Sequence, residues 1–113
     1  MSQPIVQINI PEGKKVYFSS DNHLGAPTAE ASKPREKKFI AWLSAIEADA
    51  AAIFLLGDLF DFWFEYKTVV PKGFVRVLGK LAQLRDKGIP IYFFVGNHDL
   101  WMNDYFKTEL DIP

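Results

Sequence analysis

The 113-residue chain contains no cysteine and only two histidines, His23 and His98. Disulfides and thiolate metal centres are therefore excluded, and any metal must be held by oxygen and imidazole ligands. That donor set points to Mn, Mg, Fe or Zn. Long apolar runs are also missing: no stretch reaches the roughly 18 consecutive apolar residues of a membrane span. Residues 1–10 lack a positive segment followed by an apolar one, so a signal peptide is not expected. The expected location is cytoplasmic, at most peripheral to a membrane. Neither sign of charge is in excess: 13 Lys and Arg stand against 14 Asp and Glu, a formal net charge of -1. A nucleic-acid binder would carry a clustered basic face, so no nucleic-acid partner is expected. The single basic cluster (Lys33, Arg35, Lys37, Lys38) is interrupted by Glu36 and suits a solvated helix start. What the chain does have is apolar and aromatic mass, 49% hydrophobic residues with ten Phe, three Trp and four Tyr. That composition describes one folded domain.

Hydrophobic periodicity divides the chain into alternating elements. Residues 4–10 alternate imperfectly and suit an edge strand closed by the turn signal Pro11-Glu12-Gly13. Residues 15–19 form a strand, and residues 25–33 an irregular loop. Pro34 stands where a helix can begin without its N–H. Phe39, Trp42, Leu43 and Ile46 then follow at helical spacing, with an end near residues 48–50. Residues 53–56 are apolar throughout, as in a strand covered on both faces. A second helical stripe (Phe74, Val77, Leu78, Leu81, Leu84) stops at Gly88 and Pro90. Residues 91–95 make the third strand, and residues 100–106 a turn or short helix. The order is β-α-β-α-β, hence an α/β fold with a parallel sheet and helices packed on it.

Just past each of the three confident strands lies a polar corner: Asp21-Asn22-His23, Gly57-Asp58-Leu59-Phe60-Asp61 and Gly96-Asn97-His98-Asp99. In open α/β sheets ligands bind at the carboxyl ends of strands. Asp21 and His23, two apart, can share one side of an extended loop. Asp61 could buttress a ligand from behind. Taken singly, each corner is equally a common turn. Their order at three successive strand ends is what makes a metal site the better reading.

Asp-x-His, Gly-Asp-x-x-Asp and Gly-Asn-His-Asp, in that order, resemble the first three motifs of the calcineurin-like metallophosphoesterases. That resemblance implies two divalent cations about 3.5–4 Å apart. Asp21 and His23 would bind the first, Asp58 would bridge both, and Asn97 would bind the second. His98 would protonate or steady the leaving oxygen, with Asp99 orienting it. Longer stretches around the motifs (residues 21–25, 56–79 and 96–106) resemble the Bacteroidetes-type UDP-2,3-diacylglucosamine diphosphatases. This narrower likeness covers residues 15–113 and implies hydrolysis of a UDP-linked acylated sugar to UMP and 2,3-diacylglucosamine 1-phosphate, a step of lipid A biosynthesis. Mn²⁺ is the metal it implies. Asn97, His98 and Trp63 would lie beside substrate, whereas the rest of the aromatic run at residues 60–66 is expected in the core.

Two departures matter. The family's second half supplies further histidine ligands, including a Gly-His-x-His motif, and none is present here. The chain therefore looks like the N-terminal half of a metallophosphoesterase sandwich, expected to be impaired in turnover and to leave an apolar surface through which two copies can pair. Asn22 stands where small or apolar residues are commoner, and the sequence suggests no role for it. The rival readings are another phosphoesterase, acting on a nucleotide or phosphoprotein, and a non-catalytic metal-binding fragment that self-associates.

Overall fold

The computed structural model describes residues 8–20, 22–61, 63, 73–94, 105–110 and 112. Strand β1 (Lys15–Ser19) leads through helix α1 (Ala29–Ile46) to β2 (Ala50–Leu55), then through α2 (Val75–Asp86) to β3 (Ile91–Phe93) and α3 (Tyr105–Leu110). The sheet order is β1-β2-β3 with both pairs parallel. The expected β-α-β-α-β parallel fold is thus the one observed.

Register explains which face is buried. Tyr17, Ile53 and Ile91 lie side by side, as do Ser19, Leu55 and Phe93. These rows face Phe39, Leu43 and Ile46 of α1 and Val77, Leu81 and Leu84 of α2, which join Ile53, Leu55 and Ile91 in one core. Side chains alternate along a strand, so the intervening row, Phe18, Phe54 and Tyr92, points the other way. Its rings stack in a ladder, with centroids 5.2 and 5.1 Å apart. Phe18 is 60% exposed, and Leu56 and Phe94 on the same side are 46% and 51% exposed.

Several boundaries differ from those the sequence suggests. Helix α1 begins at Ala29, five residues before Pro34, because Thr28 caps it by accepting a hydrogen bond from the Ala31 N–H at 3.1 Å. Pro34 is therefore inside the helix, where it costs one backbone hydrogen bond. Part of the stretch expected to be irregular, residues 29–33, is helical. Strand β2 starts three residues early, at Ala50, because Lys15 and Val16 of β1 pair with Ala50 and Ala52. The described part of the expected edge strand, residues 8–10, is not in a strand, and the remainder lies outside the described residues. Gly13 supplies the turn after it, with φ +82° and the Lys14 N–H bonded to the Pro11 carbonyl at 3.0 Å. Among the described residues, no helix is long and apolar enough to cross a membrane.

At the opposite end of the sheet from the polar corners, Glu47 ties α1 to α2. It accepts from Lys87 Nζ at 2.6 Å and Lys80 Nζ at 3.1 Å. The Lys87 hydrogen bond, then that of Lys80, holds its carboxyl below the ordinary value of 4.5. A depressed carboxylate stabilises the fold above its unfolded pKa, and that contribution fades as pH falls through the folded value. Thermal melts from pH 7 to pH 3 are expected to show a shallower acid-side fall in Glu47→Gln than in the parent chain, with the two curves converging at the acid end. Parallel curves over that range would mean the tie adds nothing.

Candidate metal centre at the strand ends

Beyond the sheet proper, the segments following β1 and β2 stay zipped together. The Leu56 N–H bonds the Ser19 carbonyl at 2.7 Å, the His23 N–H bonds that of Asp58 at 2.9 Å, and the Leu24 N–H bonds that of Leu59 at 2.9 Å. The Asp61 N–H returns a bond to the Leu24 carbonyl at 2.9 Å, and Leu24 and Phe60 form an isolated parallel bridge. Leu24, Leu59 and Phe60 are buried, whereas His23, Asp58 and Asp61 keep partial access to solvent. The apolar residues anchor the corners and leave the polar ones at the surface of the same edge.

His23 and Asp58, joined by one of these bonds, both adopt left-handed backbone conformations, with φ +47° and +50°. Asp and His are among the side chains enriched there, yet such a conformation persists only where its surroundings enforce it. Gly57, with φ +95°, makes the preceding turn possible. The Asp61 carboxylate reaches to 3.7 Å from His23 Nδ1. That is beyond hydrogen-bond length.

The first and second corners thus meet through His23, Asp58 and Asp61. Asp21, Asn97, His98 and Asp99 lie outside the described residues. Among the described residues, no group of three or more His, Asp or Glu side chains is drawn together tightly enough to hold a metal ion. The side chains seen to approach each other are the His23 imidazole and the Asp61 carboxylate, with Asp58 joined to His23 through its backbone carbonyl. Imidazole and carboxylate are donors that suit a borderline or hard divalent cation, so these residue types fit such an ion in chemistry.

Trp63, expected beside substrate, packs in the core. It is fully buried, its ring 4.5 Å from Phe60, 5.8 Å from Tyr105 and 5.7 Å from Phe106, centroid to centroid. Phe60, bridged through its backbone to Leu24, packs on one part of this ring, and Phe106 of α3 packs edge-on against another. Asn22, for which the sequence suggested nothing, has a local role, its Oδ1 accepting from Ser19 Oγ at 3.1 Å. This bond spans the step from β1 into the loop; the short polar pair Ser19 and Asn22, three apart, is the signal that could have pointed to it.

Residues 14–112 match the calcineurin-like phosphoesterase family. The UDP-2,3-diacylglucosamine hydrolase of Porphyromonas gingivalis is 51% identical over 96 residues, covering 85% of this chain and 37% of that protein. Proteins of the same name from Hamiltonella defensa and Histophilus somni are 36% and 32% identical, over 81% and 85% of this chain and 34% and 39% of their own lengths. The chain therefore spans well under half the length of these relatives, and it belongs to the calcineurin-like phosphoesterase family, whose members use divalent metals.

Proposed function

We propose that this chain carries half of the metal centre of a hydrolase acting on UDP-2,3-diacylglucosamine, giving UMP and 2,3-diacylglucosamine 1-phosphate. The observation that carries the proposal is the meeting of His23 and Asp58 across a backbone hydrogen bond at the strand ends. The identity to the Porphyromonas hydrolase supports the substrate. Asp21, His23, Asp58 and Asn97 would hold two divalent cations, Mn²⁺ in the first instance. Such ions neutralise phosphoryl charge and acidify a water. Around them His98 would deliver a proton to the leaving oxygen and Asp99 would orient it. His23 would be kept in position by its backbone tie to Asp58 and by the nearby Asp61 carboxylate. A diacylated substrate would favour peripheral contact with a membrane, and the location proposed is cytoplasmic, at the inner membrane.

One observation favours a second reading, a self-associating fragment. The ladder of Phe18, Phe54 and Tyr92, flanked by the exposed Leu56 and Phe94, is a contiguous apolar surface of a kind monomers rarely leave open. A homodimer through this face is the form proposed for the isolated chain. One experiment separates the readings: UMP release from UDP-2,3-diacylglucosamine with and without Mn²⁺, on fractions whose mass is measured by light scattering. Mn²⁺-dependent release from a dimeric fraction is expected. Release without Mn²⁺ dependence would reject the metal reading, a dimer without release would favour the fragment reading, and a monomer would reject the homodimer.

A further inference from the structure

Resting on the reading of His23 as a metal ligand, we infer that Arg35 and Ser32 of α1 are positioning residues that latch the His23 loop in its binding shape. The Arg35 guanidinium donates from Nη1 to the Asn22 carbonyl at 3.2 Å and from Nη2 to the Ala26 carbonyl. Those two carbonyls bracket His23, Leu24 and Gly25. Ser32, fully buried, accepts the Gly25 N–H on its Oγ at 2.6 Å and donates the hydroxyl proton to Glu36 Oε2 at 2.7 Å. Committing that proton to a carboxylate leaves the hydroxyl as an acceptor toward Gly25, and the charge strengthens the arrangement. From the other side the loop is backed by Phe74: a Cβ at Gly25 would come within 3.1 Å of its Cζ.

The latch answers a question the zipper leaves open. Bonds to Asp58 and Leu59 fix the height of the loop along the strand ends, but His23 also holds a left-handed φ, which the environment must enforce from more than one direction. A planar fork that spans two carbonyls is suited to this task, and a lysine ammonium, whose three donors share one nitrogen, is less so. Arg35 belongs to the basic cluster assigned to solvent on sequence grounds. It is instead turned toward the loop, while Lys38 joins it along an open cleft of about 560 Å³. A guanidinium in that position could alternatively serve an anionic ligand, and the test separates the two roles.

Mn²⁺ affinity of the 113-residue chain, read by electron paramagnetic resonance, is compared among the parent, His23→Ala, Arg35→Ala, Arg35→Lys and Ser32→Ala, with thermal melts alongside. Arg35→Ala and Arg35→Lys are each expected to weaken Mn²⁺ binding about tenfold, the low end for loss of a group that orients a ligand. Ser32→Ala is expected to do so to a similar degree. Added guanidinium ion should restore affinity to Arg35→Ala. Should Arg35→Ala lose its melting transition, Arg35→Lys and Ser32→Ala carry the comparison. Unchanged affinity in the Arg35 and Ser32 variants, with affinity lost in His23→Ala, would overturn the latch alone. Loss of phosphate affinity with Mn²⁺ affinity intact would also overturn it, in favour of anion binding. No His23-dependent Mn²⁺ binding in the parent chain would overturn the ligand reading and the latch with it.

Discussion

Asp58→Asn is expected to lose Mn²⁺ binding by well over tenfold while melting at the parent temperature. Asparagine keeps the shape of the side chain and tolerates the left-handed φ of +50° at this position. Its backbone carbonyl remains available to the His23 N–H. What disappears is the negative charge. For a residue proposed to bridge two cations, that charge screens their mutual repulsion, so its removal should exceed the 10–100-fold typical of an outer partner. Alanine would be a poorer probe, because it adds the cost of a left-handed alanine, about 1–2 kcal/mol, to the loss of charge. Isothermal titration with Mn²⁺ and a melt of the same samples decide the matter. Affinity within threefold of the parent would remove Asp58 from the metal site.

The second large effect concerns stability. Trp63→Ala is expected to destabilise the chain by about 3–5 kcal/mol, the range for deleting a large buried aromatic. The ring is fully buried and touches Phe60, Tyr105 and Phe106, so its loss empties the junction between the second corner and α3. Set against a typical domain stability of roughly 5–15 kcal/mol, such a loss leaves little margin. Trp63→Phe, which keeps most of the volume, should lose markedly less. Urea unfolding of the three proteins measures the difference. A Trp63→Ala midpoint equal to the parent's would mean the ring is not a core residue.

The contrast between these two residues shows where sequence was informative. Asp58 announced itself by type and place: an acid after a glycine at the end of an apolar strand. Trp63 sits in an equally conspicuous run of aromatics, but whether a ring faces ligand or core depends on how the preceding residue is pinned. That pinning is the backbone bridge from Leu24 to Phe60. Backbone-to-backbone bonds have no side-chain signature, so the zipper, and the paired left-handed residues within it, could not be read in advance. Strand β1 was legible to the residue, since a turn precedes it and polar residues follow. The start of α1 was obscured by Pro34, although Thr28 and the acidic Glu30 in the first turn were cap signals of ordinary strength. Residues 48–50 read as the end of α1, yet Ala50 already pairs with Lys15 of β1, and that pairing starts the strand. Arg35 was visible as a charge but not as a tie, because its partners are carbonyls distant from it in sequence.

The all-parallel order of the sheet also governs when the candidate centre comes into being. Val16 pairs with Ala52 across the whole of α1, and Ile53 with Ile91 across the whole of α2. Each pairing closes a long loop, whose entropy must be met before the contact stabilises anything. Helical turns can form locally and early, but strand registers of this kind are slow. His23 meets Asp58 past the end of the β1–β2 register, so those two residues stay apart in any partly folded chain that has its helices but lacks that closure. The centre is a late arrival in the folding sequence, and a chain able to hold a cation there has already completed its first crossover.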